Sequence, residues 1–138
     1  MTLYIYSETG VCMYNYSFIE TDITEQQLTE HKQFISGLIQ SITNFCDCIN
    51  PSNAPTTFES FNTDTYKFHY FQTPTNLRFV LFTDNCLQTY TDWLKEYFDS
   101  CYVVAVAKNP MFSKSTEQLK CPLLDELTRN FFKQKSQN

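Results

Sequence analysis

Tyr66-Lys67-Phe68-His69-Tyr70-Phe71-Gln72-Thr73, then Pro74-Thr75-Asn76, then Leu77-Arg78-Phe79-Val80-Leu81-Phe82-Thr83 is the stretch that decides the fold. Two runs rich in aromatic and β-branched residues flank a three-residue connection. Pro presets φ there and Asn tolerates the left-handed region, so the whole reads as a hairpin. Neither run alternates cleanly. Tyr66, Phe68 and Tyr70 share one parity with each other, as do Leu77, Phe79 and Leu81. Phe71, Val80 and Phe82 stand on the opposite parity of their strands. Strands apolar on both faces need cover on both faces, so helices must flank this sheet on each side.

Working outward, residues 58–62 read as a short strand before the hairpin, which makes a three-stranded meander. The chain opens with Leu3-Tyr4-Ile5-Tyr6, turns through Glu8-Thr9-Gly10 with Gly10 free to take positive φ, and returns over residues 11–16. The expected sheet edges are residues 11–16 and 58–62. Between hairpin and meander, Leu28, Phe34, Ile35, Leu38, Ile39, Ile42, Phe45 and Ile49 recur at helical spacing and predict an amphipathic helix ending before Pro51. Gly37 sits inside it at a cost of about 1 kcal/mol relative to Ala. Either nothing forbids it, or another backbone or side chain approaches closely there.

A second helix is expected after an Asp84-Asn85 cap, with Tyr90, Trp93, Leu94, Tyr97, Phe98, Cys101, Tyr102, Ala105 and Val106 on a wide apolar face. Residues 102–107 have strand propensity, but no turn separates them from Trp93, so they read as the end of that helix. Pro122 opens a third helix with an apolar stripe of Leu123, Leu124, Leu127 and Phe131. Arg129, Lys133 and Lys135 beside the stripe would allow it to lie on a membrane surface. Packing on the sheet is favoured, because the second sheet face needs covering. The fold class is α/β in the α+β sense, one domain over residues 1–138. Its order is ββαβββαα, with a five-stranded, mainly antiparallel sheet between helical layers.

Composition narrows function by exclusion. The 138 residues carry a formal net charge of −5, which argues against a nucleic-acid backbone as partner. No run approaches the roughly 20 apolar residues of a membrane span, and no leader or lipidation box is visible, so a cytoplasmic chain is expected. The six cysteines, among them the Cys46-x-Cys48 pair, should then be reduced. Residues two apart do not share a helix face, and His31 and His69 do not complete a usual zinc spacing, so no metal site is expected. With only Gly10 and Gly37, a Gly-rich phosphate loop is impossible. The scattered acidic residues and the two histidines form no catalytic constellation. No catalytic residue and no cofactor site are assigned, although an enzyme or metabolite binder with a pocket of converging polar groups is the rival class.

Residues 66–75 together with Phe79-Val80 and Thr83-Asp84, then Tyr102-Val103 and Val106-Ala107-Lys108-Asn109-Pro110, resemble the small longin-type subunits of the transport protein particle (TRAPP) complex. The helix over residues 32–51 and the turn Gly10-Val11-Cys12 are similar too, so the resemblance covers nearly the whole chain. It implies a longin (SNARE-like) fold with one helix on one sheet face and two on the other. It implies a subunit of a tether for endoplasmic reticulum to Golgi transport, peripheral at cis-Golgi and endoplasmic reticulum membranes. The partners implied are a larger longin subunit, the palmitoylated-type subunit and, through the assembly, a Rab-type GTPase whose nucleotide the complex exchanges. A sedlin-like subunit or an adaptor small chain is the nearest alternative. The chain departs from the family in residues 20–30, 50–57 and 111–120. Open sheet edges invite added strands, and the first helix can offer side chains to a partner. The interface candidates are Phe34, Gly37 and Leu38 on that helix. Lys108 and Asn109 join them, although Lys108-Asn109-Pro110 also reads as an ordinary helix end.

Overall fold

The computed structural model describes residues 2–18, 24–52, 59–84, 90–107 and 122–137. Five antiparallel strands are β1 (Thr2–Tyr6), β2 (Cys12–Ser17), β3 (Ser60–Asn62), β4 (Tyr66–Gln72) and β5 (Arg78–Asp84), in the order β2-β1-β5-β4-β3. Helix α1 (Glu25–Ile49) follows β2; α2 (Thr91–Tyr97) and α3 (Pro122–Gln137) follow β5. The expected edges hold: β2 and β3 flank the sheet. Phe58, expected to begin β3, lies outside the described residues.

The two-sided reading of the central hairpin also holds. Phe68 pairs with Phe82 and Tyr70 with Val80, while Phe71 pairs with Phe79 and His69 with Leu81. Tyr4, Tyr6, Phe68, Tyr70 and Val80 pack with Ile35 and Ile39 of α1 on one face. Leu3, Ile5, Phe79 and Leu81 pack on the other with Leu94, Tyr97, Cys101, Tyr102, Leu124, Phe131 and Phe132. One helix therefore covers one face, and α2 and α3 share the other.

Local chemistry sets the ends. Gly10 takes φ +86°, and Ser7 N–H bonds the Val11 carbonyl at 2.9 Å to close the first hairpin. A Cβ on Gly10 would meet Ser36 Oγ at 3.0 Å, so close approach to α1 and positive φ both favour glycine there. Thr24 and Gln27 cap α1 reciprocally: Gln27 N–H donates to Thr24 Oγ1 and Thr24 N–H to Gln27 Oε1, each at 3.2 Å.

The second helix differs from expectation at its start. Asp84 is the last residue of β5, Asn85 lies outside the described residues, and α2 begins at Thr91 after Tyr90, with no side-chain cap. A histidine supplies the anchor instead. Tyr90 N–H donates to His69 Nδ1 at 3.1 Å, which makes Nε2 the protonated nitrogen, 2.9 Å from Thr83 Oγ1. Beyond Tyr97 the helix continues with π-type turns over Phe98–Ala107, so the β-branched run from Tyr102 is helical as expected. In α3, Leu123 points outward at 46% exposure and Phe132 inward, a correction to the expected stripe. The inward row is Leu124, Thr128, Phe131 and Phe132. Thr128 Oγ1 donates to the Leu124 carbonyl at 2.6 Å, so the Tyr97 hydroxyl, 2.7 Å away, is its donor.

Burial, with Lys67 nearby, lowers His69 from its usual 6.5 to about 4. The folded chain thus refuses a proton that the unfolded chain accepts below about pH 6.5. This stability is complete above that pH and is lost as pH falls toward 4, up to about 3 kcal/mol. Thermal melts from pH 7 to pH 4 should show a fall in Tm that is clearly shallower for His69→Gln. Parallel curves for the two proteins would mean that His69 takes no part.

Candidate interaction surface

Helix α1 carries more apolar surface than the sheet covers. At about 100° per residue, Leu28, Ile39, Ile42 and Cys46 cluster around Ile35. Phe34, Leu38, Phe45 and Ile49 fall about 40° to 100° round the axis on one flank. Only Ile35 and Ile39 are buried. Phe34 is 74% exposed, and Phe45 and Ile49 are each 62% exposed. The sequence pattern puts all of them on one apolar stripe, with Phe34 and Leu38 named as interface candidates, and does not separate the exposed Phe45 and Ile49 from the covered members. Nothing in a periodicity says how wide an arc a single sheet face can cover.

Phe34 stands as a ridge between two depressions. One runs along the helix and is lined by Glu30, Gln33, Gly37, Leu38 and Ser41. The other lies against the sheet between Thr2, Tyr4, His31, Tyr66 and Phe82. Tyr66 is 38% exposed, and Tyr4, Tyr66 and Phe68 all meet the Phe82 ring edge-on. The structure thus brings Phe34, Gly37 and Leu38 into one apolar groove with polar rims. A Cβ on Gly37 would meet nothing within 4 Å. Close approach by a described part of this chain is therefore not the reason for Gly37. Lys108 and Asn109 lie outside the described residues.

The opposite flank of α1 faces the first hairpin. The Tyr6 hydroxyl donates to the Lys32 carbonyl at 2.8 Å, and Ser36 Oγ donates to the Gly10 carbonyl at 3.1 Å. These bonds fix the helix over the sheet and leave the Phe34 flank outward. Edge strand β2 is pinned through its side chains: the Tyr14 hydroxyl donates to Asp125 Oδ1 at 2.6 Å, and Arg129 Nε donates to the Tyr16 hydroxyl at 3.3 Å. Cys12-Met13-Tyr14-Asn15-Tyr16-Ser17 contains no lysine or proline, the residues that usually blunt an edge.

The polar interior offers little to chemistry. His69 is fully buried with both ring nitrogens engaged. Burial, reinforced by Glu96, pushes the Cys101 thiol up to about 11, which makes it a poor nucleophile. Among the described residues no three His, Cys, Asp or Glu side chains group to hold a metal ion, and no helix is long and apolar enough to cross a membrane. What the geometry presents is an exposed apolar flank on α1.

Three relatives are similar to this chain over most of its length. Trafficking protein particle complex subunit 1 of Homo sapiens is 28% identical over 131 residues, covering 95% of this chain and 84% of that protein. The subunit of the same name from Dictyostelium discoideum is 27% identical over 121 residues, covering 86% and 84%. Transport protein particle subunit bet5 of Schizosaccharomyces pombe is 29% identical over 121 residues, covering 80% and 77%. The family model described as Sybindin-like matches residues 1–135, nearly the whole five-stranded sheet and its three helices, and the chain belongs to the Sybindin-like family.

Proposed function

We propose that this protein is a non-catalytic core subunit of a TRAPP vesicle-tethering complex acting in endoplasmic reticulum to Golgi transport. In that role it helps to build the platform on which the assembly exchanges nucleotide on a Rab-type GTPase. Its direct partners are a larger longin subunit and the palmitoylated-type subunit, and it works at the cytoplasmic side of cis-Golgi and endoplasmic reticulum membranes. The observation that carries the reading is the uncovered flank of α1. Phe34 at 74% exposure, beside Gly37 and Leu38, is a large apolar side chain held out by a helix that is otherwise bolted down. Support comes also from relatives whose names place them in a particle complex of trafficking subunits.

The physical logic is helix against helix. Gly37 and Ser41 are one turn apart, and small residues there let a partner helix approach closely while Phe34 and Leu38 fill its grooves. The unblunted β2 edge offers backbone groups for an added strand.

Affinity purification of the tagged protein, followed by mass spectrometry, should recover other TRAPP subunits in stoichiometric amounts. Recovery of the tagged chain alone would defeat the proposal. Phe34→Ala should leave the melting temperature of the isolated chain nearly unchanged, within about 0.5 kcal/mol, and cut that recovery sharply. Gly37→Ala should stabilise the isolated chain by about 1 kcal/mol, because the site is helical and open. Gly37→Leu should fold equally well and fail to assemble. Undiminished assembly of Gly37→Leu would remove this flank from the interface.

A further inference from the structure

The exposed flank of α1 is complementary to itself. Phe34 and Leu38 stand four residues apart and form a ridge; Gly37 and Ser41 form the neighbouring row, which has little side chain to fill it. Phe34, Gly37 and Ser41 are exposed, Leu38 is half-buried, and all four line one depression. A two-fold axis passing between Gly37 and Leu38, perpendicular to the helix, exchanges the two rows. Phe34 of one copy then meets Ser41 of the other, and Leu38 meets Gly37. Each large side chain faces a small one. The ridge of one helix fills the shallow row of its twin, a packing of four-residue rows whose axes cross at about 50°.

Charge and space agree with that match. Residues 33–42 contain no Asp, Glu, Lys or Arg. Two copies, each with a formal net charge of −5, therefore bring no like charges together at the contact. A Cβ on Gly37 would meet nothing within 4 Å, so the slot above it is open to the Leu38 of a second copy. The match ends at the next layer, where Glu30 would face Phe45. Close contact is thus confined to about two helical turns, short of the roughly 800 Å² per partner of a standard interface, and the pair is weak.

We propose that the unassembled chain forms a weak two-fold dimer through α1, with the Phe34–Leu38 ridge of each copy seated on the Gly37–Ser41 row of the other. The inference rests on the same uncovered flank as the proposed function and names what covers it when no other subunit is bound. Self-pairing removes Phe34 from water in the free chain and yields by mass action to a partner that binds more tightly.

Sedimentation velocity of the full chain under reducing conditions should show a reversible monomer–dimer equilibrium, half-dimeric at about 100 µM. Monomer alone at about 1 mM, or growth past the dimer, would overturn the proposal. In a mixture of isotope-labelled and unlabelled chains, filtered NOEs should join the Phe34 ring of one copy to Ser41 of the other; intermolecular contacts only elsewhere would overturn it too. Ser41→Phe separates this geometry from a merely sticky patch. It sets Phe against Phe and should weaken the dimer at least about tenfold, whereas a patch would gain affinity from the added ring. Phe34→Ser should weaken it similarly. The double variant Phe34→Ser with Ser41→Phe restores the large-to-small match and should return to within about threefold of wild type. A folded double variant that stays monomeric would defeat the two-fold register, and the wild-type NOEs decide that register if a variant fails to fold. These measurements use this chain alone. Monomeric behaviour with intact co-purification of TRAPP subunits would defeat the dimer only, and a dimer that recovers no such subunits would defeat the tethering-complex reading only.

Discussion

Strands β1, β5 and β4 carry large side chains toward both faces of the sheet, and the rest of the molecule answers that demand. Tyr4, Tyr6, Phe68, Tyr70 and Val80 on one side, and Leu3, Ile5, Phe79 and Leu81 on the other, are all nearly or fully buried. No single layer can remove both sets from water, so helices must sit above and below. The two covers are unequal. α2, its π-type continuation and α3 enclose one face with Leu94, Tyr97, Tyr102, Leu124 and Phe132. On the other face α1 contributes two buried residues, Ile35 and Ile39.

This inequality leaves apolar surface on α1 that no described residue covers. Tyrosine hydroxyls fasten both covers: Tyr6 to the Lys32 carbonyl on the α1 side, Tyr14 to Asp125 and Tyr97 to Thr128 on the other. Each ring buries apolar surface and spends its hydroxyl on a specific acceptor, which sets helix position as well as adding stability. With α1 held at its Lys32 and Ser36 flank, the Phe34 flank has nowhere to pack within the described chain. A helix fixed with a wide apolar arc and a narrow covered strip offers the remainder to a neighbour.

Much of this was legible in the residues. The absence of alternation in the central hairpin implied two helical layers, and the lone glycine turn at Gly10 implied the first hairpin. The apolar repeat between them implied α1. Gly37 was singled out as needing a reason, and the structure excludes a described intramolecular one. Other features were not legible. Phe45 and Ile49 share the periodicity of Ile35 and Ile39 but not their burial. The anchor of α2 comes from His69, twenty-one residues before Tyr90, and no local capping rule points to it. Leu123 and Phe132 exchanged the roles that their spacing suggested, because the sheet and Tyr97 select the face of α3 that turns inward.

The elements, their order and the need for cover on both faces could be read from the residues, because strand and helix periods and turn chemistry act between near neighbours along the chain. The residues also determined what the chain lacks, since a Gly-rich phosphate loop cannot be built from two glycines. Which part of the apolar arc of α1 is covered is a matter of tertiary packing alone. Phe34 and Ile35 are adjacent and both apolar, yet one is 74% exposed and the other 8%. Burial depends on what lies opposite a side chain in space, and a neighbour in sequence carries no record of that.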